Sequence, residues 1–355
     1  MDKKAYSLVA LSVVSILLTG CLGDDSDSGS TGSGGSKTDL AAPTIESARE
    51  PVEITTASAP DAVKSAVGAM DGDNLDSLES LNLGDALAAS GNKEKLVLWA
   101  KNKLESLGDW ATTEKISAAA TEIQSENCAS GGSIEASVTD EGDYTQGSMK
   151  MTVHFKSCVG ADFNANGSMS IYEAWTATTE EMEMVAKDLK IEASSSSFTM
   201  NGGMKEKCEE KADHDYCTSS STGLEIIMGE KFFRLYSLNA ETWDDYPYTS
   251  DWDNEEKYSL SLDASSLEGS LNLSTPQKLG YKYSIDDMPS NGQIKMEGAN
   301  NTSLLVTFSA DGSNPVAQVQ VDTNNDGNYE CDESGISQAD LEAGNWSCSA
   351  SGSAY

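Results

Sequence analysis

The chain has 355 residues, with 58 acidic and 23 basic side chains and a formal net charge of −35. This balance excludes nucleic acid as a partner, because neutralising phosphates requires clustered Lys and Arg side chains that the sequence lacks. Only two histidines are present, which leaves few candidates for His-based metal sites and catalytic triads. A hydrophobic share of 38% over this length suffices for one large domain or two ordinary ones.

The N-terminus has the pattern of an export signal. A short basic start precedes an apolar run over residues 5–18, which is too short to span a bilayer as a helix. The run ends in Leu18-Thr19-Gly20-Cys21, which resembles the bacterial lipobox. The resemblance implies that residues 1–20 are a lipoprotein signal peptide and that Cys21 carries acyl chains, palmitate among them, which anchor the protein in a bilayer. Because Leu22 follows the cysteine, similarity to the enterobacterial sorting rule implies the outer membrane, with the periplasmic or cell-surface face left open.

The next two segments are predicted to be a tether and a helical segment. From Gly23 to Ser36 the chain is almost entirely Gly, Ser, Asp and Thr, which predicts a flexible acidic tether over residues 21–50. Residues 51–127 are predicted to be helical, because apolar side chains share one face over Asp61–Met70 and over Lys93–Leu107, with a weaker pattern at Thr113–Gln124. We interpret these apolar stripes as packing faces.

From residue 128 to residue 355 the hydrophobic period changes from 3.6 to two. Met149, Met151, Val153 and Phe155 alternate with polar neighbours, which predicts a strand with one solvated face. Further runs of this kind follow, and Asn-Gly pairs at 166–167, 201–202 and 291–292 predict hairpin turns between them. The predicted fold class is mainly β, either an antiparallel sandwich or a curved open sheet, with a small N-terminal helical segment.

The cysteines beyond Cys21 predict three disulfides, because an even number in an exported chain favours oxidation. Fifteen connectivities exist, and the spacing favours sequence neighbours: Cys128 with Cys158, Cys208 with Cys217, and Cys331 with Cys348. A thiolate metal site is the alternative, which the absence of any Cys-x-x-Cys sequence disfavours.

The sharpest local motif is the twelve-residue acidic stretch 322–333, which matches the spacing of a calcium-binding loop. Such a loop places oxygen ligands at positions 1, 3, 5, 7 and 12 and a glycine at position 6. The predicted Ca²⁺ ligands are Asp322, Asn324, Asp326, the carbonyl of Asn328 and both carboxylate oxygens of Glu333. A plain acidic turn is the alternative. A looser match at Asp162–Glu173 is interpreted as a hairpin turn.

An aromatic patch is the remaining candidate binding site. It consists of Trp243, Tyr246, Tyr248 and Trp252, interleaved with four aspartates. Such a patch can bind sugars or cationic ligands, or it can hold an irregular loop against a sheet. Neither His154 nor His214 lies in a catalytic motif, and no Gly-x-Ser-x-Gly, His-Glu-x-x-His or phosphate-loop sequence occurs. No catalytic residue is therefore assigned.

Two stretches resemble a family of uncharacterised lipoproteins of Gram-negative, often marine, proteobacteria. They are the segments from Cys128 to Met169 and from Pro289 to Glu330, whose matching parts cover about a quarter of the chain. The resemblance implies the Cys128–Cys158 disulfide and an ending in which a strand leads into an acidic loop. It implies no activity or substrate.

Together these features predict a non-enzymatic, outer-membrane-anchored lipoprotein that is a binding or assembly component of the cell envelope. We expect it to contact the bilayer through its acylated cysteine, to have an envelope protein partner and to be stabilised by Ca²⁺. The alternative is a surface carbohydrate-binding or carbohydrate-active protein, which the patch from Trp243 to Trp252 motivates.

Overall fold

The computed structural model describes residues 38–70, 120–142, 145–160, 163–193, 196–245, 254–282, 288–311 and 314–348. The described residues form one antiparallel sheet of fourteen strands, in which each strand pairs with its neighbours in sequence. The strands are β1 Ala120–Asn127, β2 Gly131–Gly142, β3 Gly147–Val159, β4 Phe163–Trp175, β5 Thr179–Ala193, β6 Ser196–Glu210, β7 His214–Met228, β8 Lys231–Asp245, β9 Asn254–Ala264, β10 Ser270–Tyr281, β11 Asn291–Glu297, β12 Ser303–Asp311, β13 Asn314–Asp322 and β14 Cys331–Ser337. The predicted mainly-β class and the open sheet are confirmed.

One face of the sheet, here called the core face, carries the apolar side chains. Alternation along each strand sends every second side chain to this face. In-register apolar partners then form rows across neighbouring strands, such as Leu224, Leu235, Leu262 and Leu271 on β7–β10, each at most 1% exposed. The opposite face, here called the outer face, carries mainly polar side chains. We therefore attribute most of the stabilisation to the core face, since each fully buried Leu contributes about 1.5–3 kcal/mol.

The predicted Asn-Gly hairpin turns are wrong, because all three pairs lie inside or at the start of strands. Gly167, Gly202 and Gly292 have φ values of 99°, 109° and 112°, a region that favours glycine. At Gly167 the register of β4 against β5 shifts, and a Cβ atom would lie 2.0 Å from the carbonyl oxygen of Asp188. The glycine is thus required by a β-bulge in which two backbones approach closely.

Residues 39–54, here called the strap, cross the outer face from β3 to the turn between β11 and β12. At one end the Asp39 carboxylate lies 2.9 Å from the Lys150 ammonium. At the other end the backbone N–H of Ile54 donates to the Thr302 hydroxyl at 2.9 Å. The described part of the predicted tether, residues 38–50, is therefore packed against the sheet, which corrects the prediction that the tether extends to residue 50.

The strap crosses β6 and β7 at two positions that lack side chains. Gly203 of β6 and Gly223 of β7 pair directly on the outer face. A Cβ atom on Gly223 would lie 2.9 Å from the Cδ1 atom of Ile45, so the Ile45 side chain occupies the space that glycine leaves. The strap therefore depends on glycines that are about 160–180 residues away in sequence.

Two arginine clusters hold the strap. Arg49 donates through Nε to Asp263 at 2.8 Å, and its backbone N–H donates to the same carboxylate at 3.0 Å. Arg234 of β8 pairs with Glu225 of β7 at 2.7 Å and with Glu46 of the strap. Because these charged outer-face groups are covered by the strap, Asp263 is fully buried and Arg234 is 7% exposed.

Two described α-helices complete the fold: α1 Ala59–Met70 and α2 Gln338–Ala343. Ala62, Val63 and Ala66 of α1 are buried against the core, as the predicted helical face requires. The Lys93–Leu107 helix lies outside the described residues. The Thr113–Gln124 prediction is wrong for its described part, since residues 120–127 form β1 and pair with β2. Pairing with a neighbouring strand outweighs the weak helical periodicity of this segment.

Candidate functional site

The acidic loop joins β13 to β14 at one end of the sheet. β13 ends at Asp322 and β14 begins at Cys331, so the expected strand before the loop is present. The Asp322 carboxylate, 4% exposed, accepts hydrogen bonds from the backbone N–H groups of Asn324 (3.2 Å), Asn325 (2.6 Å) and Gly327 (3.0 Å). These bonds fold the loop tightly around one carboxylate.

The loop brings three carboxylates together. One oxygen atom from each of Asp322, Asp326 and Glu330 lies within 4.8 Å of the others. Burial opposes ionisation of Asp322, but hydrogen bonds from the backbone N–H groups of residues 324–327 outweigh it and hold its pKa below the usual value. An ionised Asp322 next to two further carboxylates is a donor set of hard oxygen ligands, which suits Ca²⁺.

The structure places the other predicted ligands differently. Asn324 hydrogen-bonds through its side-chain amide to Glu330 at 2.8 Å, and its Oδ1 accepts from the backbone N–H of Asp326. Asn328 donates its backbone N–H to Asp326 at 2.8 Å. Glu333 lies in β14, where it pairs with Val319 of β13. It does not belong to the cluster formed by the carboxylates of Asp322, Asp326 and Glu330. Glu330, at position 9 of the loop, was missed, although its place directly before a strand signalled that it ends the loop.

The three disulfides join the sequence neighbours that the spacing favoured. Cys128 is bonded to Cys158, Cys208 to Cys217, and Cys331 to Cys348. The last of these fixes the C-terminal segment to the first residue of β14, directly after the acidic loop. The loop is therefore anchored at both ends, by β13 and by a disulfide-linked strand.

The described part of the aromatic patch lies on the outer face. Trp243 of β8 pairs with Tyr216 of β7, and their ring centroids are 5.5 Å apart. The Lys278 ammonium lies 3.3 Å from the centroid of the Trp243 ring, so one neighbour of the indole is a cation. Tyr246, Tyr248 and Trp252 lie outside the described residues.

The two histidines occupy separate strands. His154 of β3 is on the polar face that its alternation predicts, and its Nδ1 lies 2.7 Å from the Ser168 hydroxyl. His214 begins β7, and its Nδ1 lies 2.7 Å from the carboxylate of Asp213. Cys21, the predicted lipidation site, lies outside the described residues.

Neither described α-helix has the length and apolar character that crossing a bilayer requires. Comparison with protein-family models, with curated proteins and with solved structures finds no match to this chain.

Proposed function

We propose that the protein is a non-enzymatic, outer-membrane-anchored lipoprotein that serves as a binding or assembly component of the cell envelope. The observation that carries the proposal is the lipobox-like sequence ending in Cys21, after a basic start and an apolar run of signal-peptide length. Acylation of Cys21 would attach the chain to the bilayer through several hydrocarbon chains, which together hold a protein firmly.

The strap supports this proposal by coupling an N-terminal anchor to the sheet. The strap begins 18 residues after Cys21 and is held by the Arg49–Asp263 and Glu46–Arg234 pairs. Displacement of the anchor would therefore act on the middle strands of the sheet and not on a loose end. A large sheet held in this way offers its edges and loops to an envelope partner.

Cross-linking in intact Gram-negative cells tests the binding role. We expect a photo-reactive residue at the exposed Tyr329 of the acidic loop to yield a defined cross-linked species with the wild-type chain. The Cys21→Ser variant, which cannot be acylated, should lose this species although it is exported. A cross-link pattern that is identical with and without Cys21 would show that partner contact does not depend on the anchor.

Calcium is the cofactor that we propose for the acidic loop, with Asp322, Asp326 and Glu330 as carboxylate ligands. The grouping of these oxygens within 4.8 Å supports it, together with the Asp-x-Asn-x-Asp-Gly sequence. The ion would neutralise three adjacent negative charges and tie β13 to β14. Its expected role is structural, because the loop lies at the end of the sheet beside the Cys331–Cys348 disulfide.

Calcium binding is expected to raise the stability of the protein measurably. At a free concentration of 100 times Kd, a ligand that binds only the folded state adds about 2.7 kcal/mol to the free energy of unfolding. We expect Asp326→Asn, which changes an exposed ligand, to abolish the Ca²⁺-dependent rise in Tm. Glu333→Gln is the matched control, because Glu333 lies in β14 outside the group, and it should retain the full rise. The assignment would be contradicted if calorimetry found that Glu333→Gln loses the Ca²⁺-dependent rise in Tm and that Asp326→Asn keeps it.

A second candidate function is carbohydrate binding at the outer face. The half-exposed Tyr216–Trp243 pair favours it, since aromatic rings provide stacking surfaces for sugar rings. On a glycan array we expect Trp243→Ala and Trp252→Ala to reduce any signal of the wild-type chain. A wild-type chain that binds no glycan would eliminate this candidate.

A further inference from the structure

The Cys208–Cys217 disulfide differs from the other two in its place in the sheet. Cys208 of β6 and Cys217 of β7 are direct cross-strand partners, and the pairing of the two strands continues on both sides of them. The other bonds each join a strand residue to a residue outside the strands, since Cys128 precedes β2 and Cys348 follows α2. Cleavage of the Cys208–Cys217 bond therefore leaves its two sulfur atoms as neighbours, because the β6–β7 hydrogen bonds still hold the strands together.

A buried carboxyl group lies against this disulfide. Glu206 precedes Cys208 by two residues on β6, so the two side chains share the face of Met204, which belongs to the core. Glu206 is 8% exposed. Its Oε2 atom accepts a hydrogen bond from the Ser219 hydroxyl at 2.9 Å, and its Oε1 atom lies 3.9 Å from the Cys208 sulfur. One carboxylate oxygen therefore has a donor, and the other faces the disulfide.

The Oε1 atom of Glu206 has no donor within the described part of the oxidised protein. Its contact there is the Cys208 sulfur, and a sulfur atom in a disulfide carries no hydrogen. Reduction of the bond would convert this sulfur into a thiol, whose S–H group can donate to Oε1. A buried polar atom normally has a partner, and here the reduced form of the neighbouring bond would supply it.

The same carboxyl group is suited to carry a proton. Burial raises the pKa of Glu206 and the charge of Glu180 adds to this effect, although the Ser219 hydrogen bond acts in the opposite direction. Glu206 therefore keeps its proton to a higher pH than an exposed glutamic acid. A protonated carboxyl can give its proton to a departing thiolate, and a carboxylate can take the proton back.

The Cys208 sulfur can be approached from the side of β5. Cys208 itself is half-buried, and its cross-strand partner on β5 is the exposed Glu180. Cys217 lies on the opposite side of the bond and is 8% exposed. Because a thiolate attacks a disulfide sulfur from the side opposite the bond that breaks, Cys208 is the sulfur that an incoming thiol would reach.

We propose that Cys208 and Cys217 form a redox-active pair that exchanges with a protein dithiol, and that Glu206 transfers the proton of the Cys208 sulfur. The register of β6 and β7 keeps the reduced thiols adjacent, so the bond can form again without a rearrangement of the sheet. This role lies beyond the proposed binding role in the envelope and does not require the lipid anchor.

Reduction proceeds in two exchange steps. A thiolate of the partner attacks the Cys208 sulfur and forms a mixed disulfide, and the electron pair of the broken bond leaves on Cys217, which takes a proton from solvent. The second thiolate of the partner then attacks the partner's own sulfur, and the electron pair passes to Cys208, which receives the proton of Glu206. Both cysteines are thereby reduced, and the dithiol becomes a disulfide. The two protons that the dithiol released to solvent balance those that Cys217 and Glu206 take up.

Graded reduction of the full-length protein with dithiothreitol tests the redox activity, with Cys21→Ser in place so that no further thiol competes. We expect Cys208 and Cys217 to become accessible to alkylation together, while peptide mapping shows the other two disulfides intact and far-UV circular dichroism keeps its β signal. Oxidised glutathione should then restore the same bond. Reduction of Cys208–Cys217 only together with the other two bonds, or only with loss of the β signal, would overturn the proposal.

The role of Glu206 is tested on a single step, the release of Cys208 from a mixed disulfide with glutathione. The parent protein for this test is the full-length Cys21→Ser/Cys217→Ser variant with glutathione attached to Cys208. Excess glutathione at pH 6 releases the Cys208 thiol, and mass spectrometry follows the rate. Glu206→Gln should slow the release at least about tenfold, because the amide keeps the shape of the side chain and has no proton to transfer.

Glu209→Gln is the matched control, since Glu209 is adjacent to Cys208 on the outer face and pairs with Lys207 and Lys211. It removes one negative charge from an exposed position and should leave the rate within about twofold of that of the parent protein. Loss of a negative charge beside the sulfur would by itself favour a departing thiolate and speed the release. The sign of the change therefore separates proton transfer from a charge effect, and release from Glu206→Gln that is as fast as from the parent protein, or faster, would overturn the role of Glu206.

Discussion

Arg49→Ala is expected to lower the free energy of unfolding by about 3 kcal/mol, the lower end of the range for removing one partner of a buried ion pair, because Asp263 is fully buried whereas the Arg49 side chain is 38% exposed. Asp263 is completely buried, and its carboxylate depends on the Arg49 side chain and on the Arg49 backbone N–H. The guanidinium also donates to the carbonyls of Ala264 (2.6 Å) and Leu267 (2.8 Å). The substitution therefore removes the cationic partner of a buried carboxylate, which keeps the backbone N–H of residue 49, and removes a donor to the carbonyl of Leu267.

Lys156→Ala provides the control for this prediction, because Lys156 and Glu135 form an exposed pair on the same sheet. Such pairs contribute about 0–1 kcal/mol. Urea unfolding with intact disulfides measures both variants, and protease sensitivity within residues 39–54 reports whether the strap detaches. A loss of similar size in the two variants would mean that the strap does not bury the Arg49–Asp263 pair.

The second large effect is expected on removal of the Cys128–Cys158 disulfide, which spans 30 residues. Closing a loop of this length in the unfolded chain corresponds to about 3.6 kcal/mol in the chain-entropy model. The double variant Cys128→Ala/Cys158→Ala should therefore unfold at a distinctly lower urea concentration. Cys158 is fully buried, and the bond joins the turn before β2 to the end of β3.

The Cys208–Cys217 disulfide is the comparison, because it spans only nine residues and corresponds to about 2.6 kcal/mol. The order of the two losses is the measurable result, since both bonds close local loops within the same sheet. Removal of the Cys208–Cys217 disulfide could instead lower the free energy of unfolding more than removal of the Cys128–Cys158 disulfide. In that case contacts in the folded state, and not the entropy of the unfolded chain, determine the contribution of these bonds.

Much of the sheet could be predicted from local sequence, because each strand pairs with its sequence neighbours. The alternation of Met151 and Phe155, both packed against the core, with polar neighbours is sufficient to identify β3 and its core face. Neighbouring cysteines meet for the same reason, since a meander brings residues that are close in sequence to adjacent strands. The sandwich alternative required contacts between distant strands, which local periodicity does not report.

The strap could not be predicted, because nothing in residues 39–54 has a helical or strand period. Its position depends on Gly203 and Gly223, and on acids such as Asp263 that look like ordinary exposed residues in the sequence. Asn-Gly pairs were misread for a related reason. The positive φ of Gly167 serves a bulge as well as a turn, and the approach of Asp188 that distinguishes them is a tertiary contact.

At the candidate sites, too, local sequence predicts some features, and others depend on tertiary contacts. The calcium-loop spacing correctly identified Asp322 and Asp326 as neighbours but assigned the twelfth position to Glu333, which the pairing of β14 carries away. A further unusual signal was available at Glu173, an acid that continues the inward alternation of Met169 and Ile171. An acid at an apolar position of a strand is unusual, because acidic side chains are rarely buried.

The most direct test of lipid anchoring is the mass of the N-terminal peptide of the protein purified from membranes of a Gram-negative cell. We expect a peptide that begins at Cys21 and carries the added mass of acyl chains on the thiol and the new amino terminus. Cys21→Ser should yield no such peptide and should leave the membrane fraction. An unacylated Cys21, or a mature chain that begins beyond it, would contradict the proposal that this protein is a lipid-anchored component of the envelope.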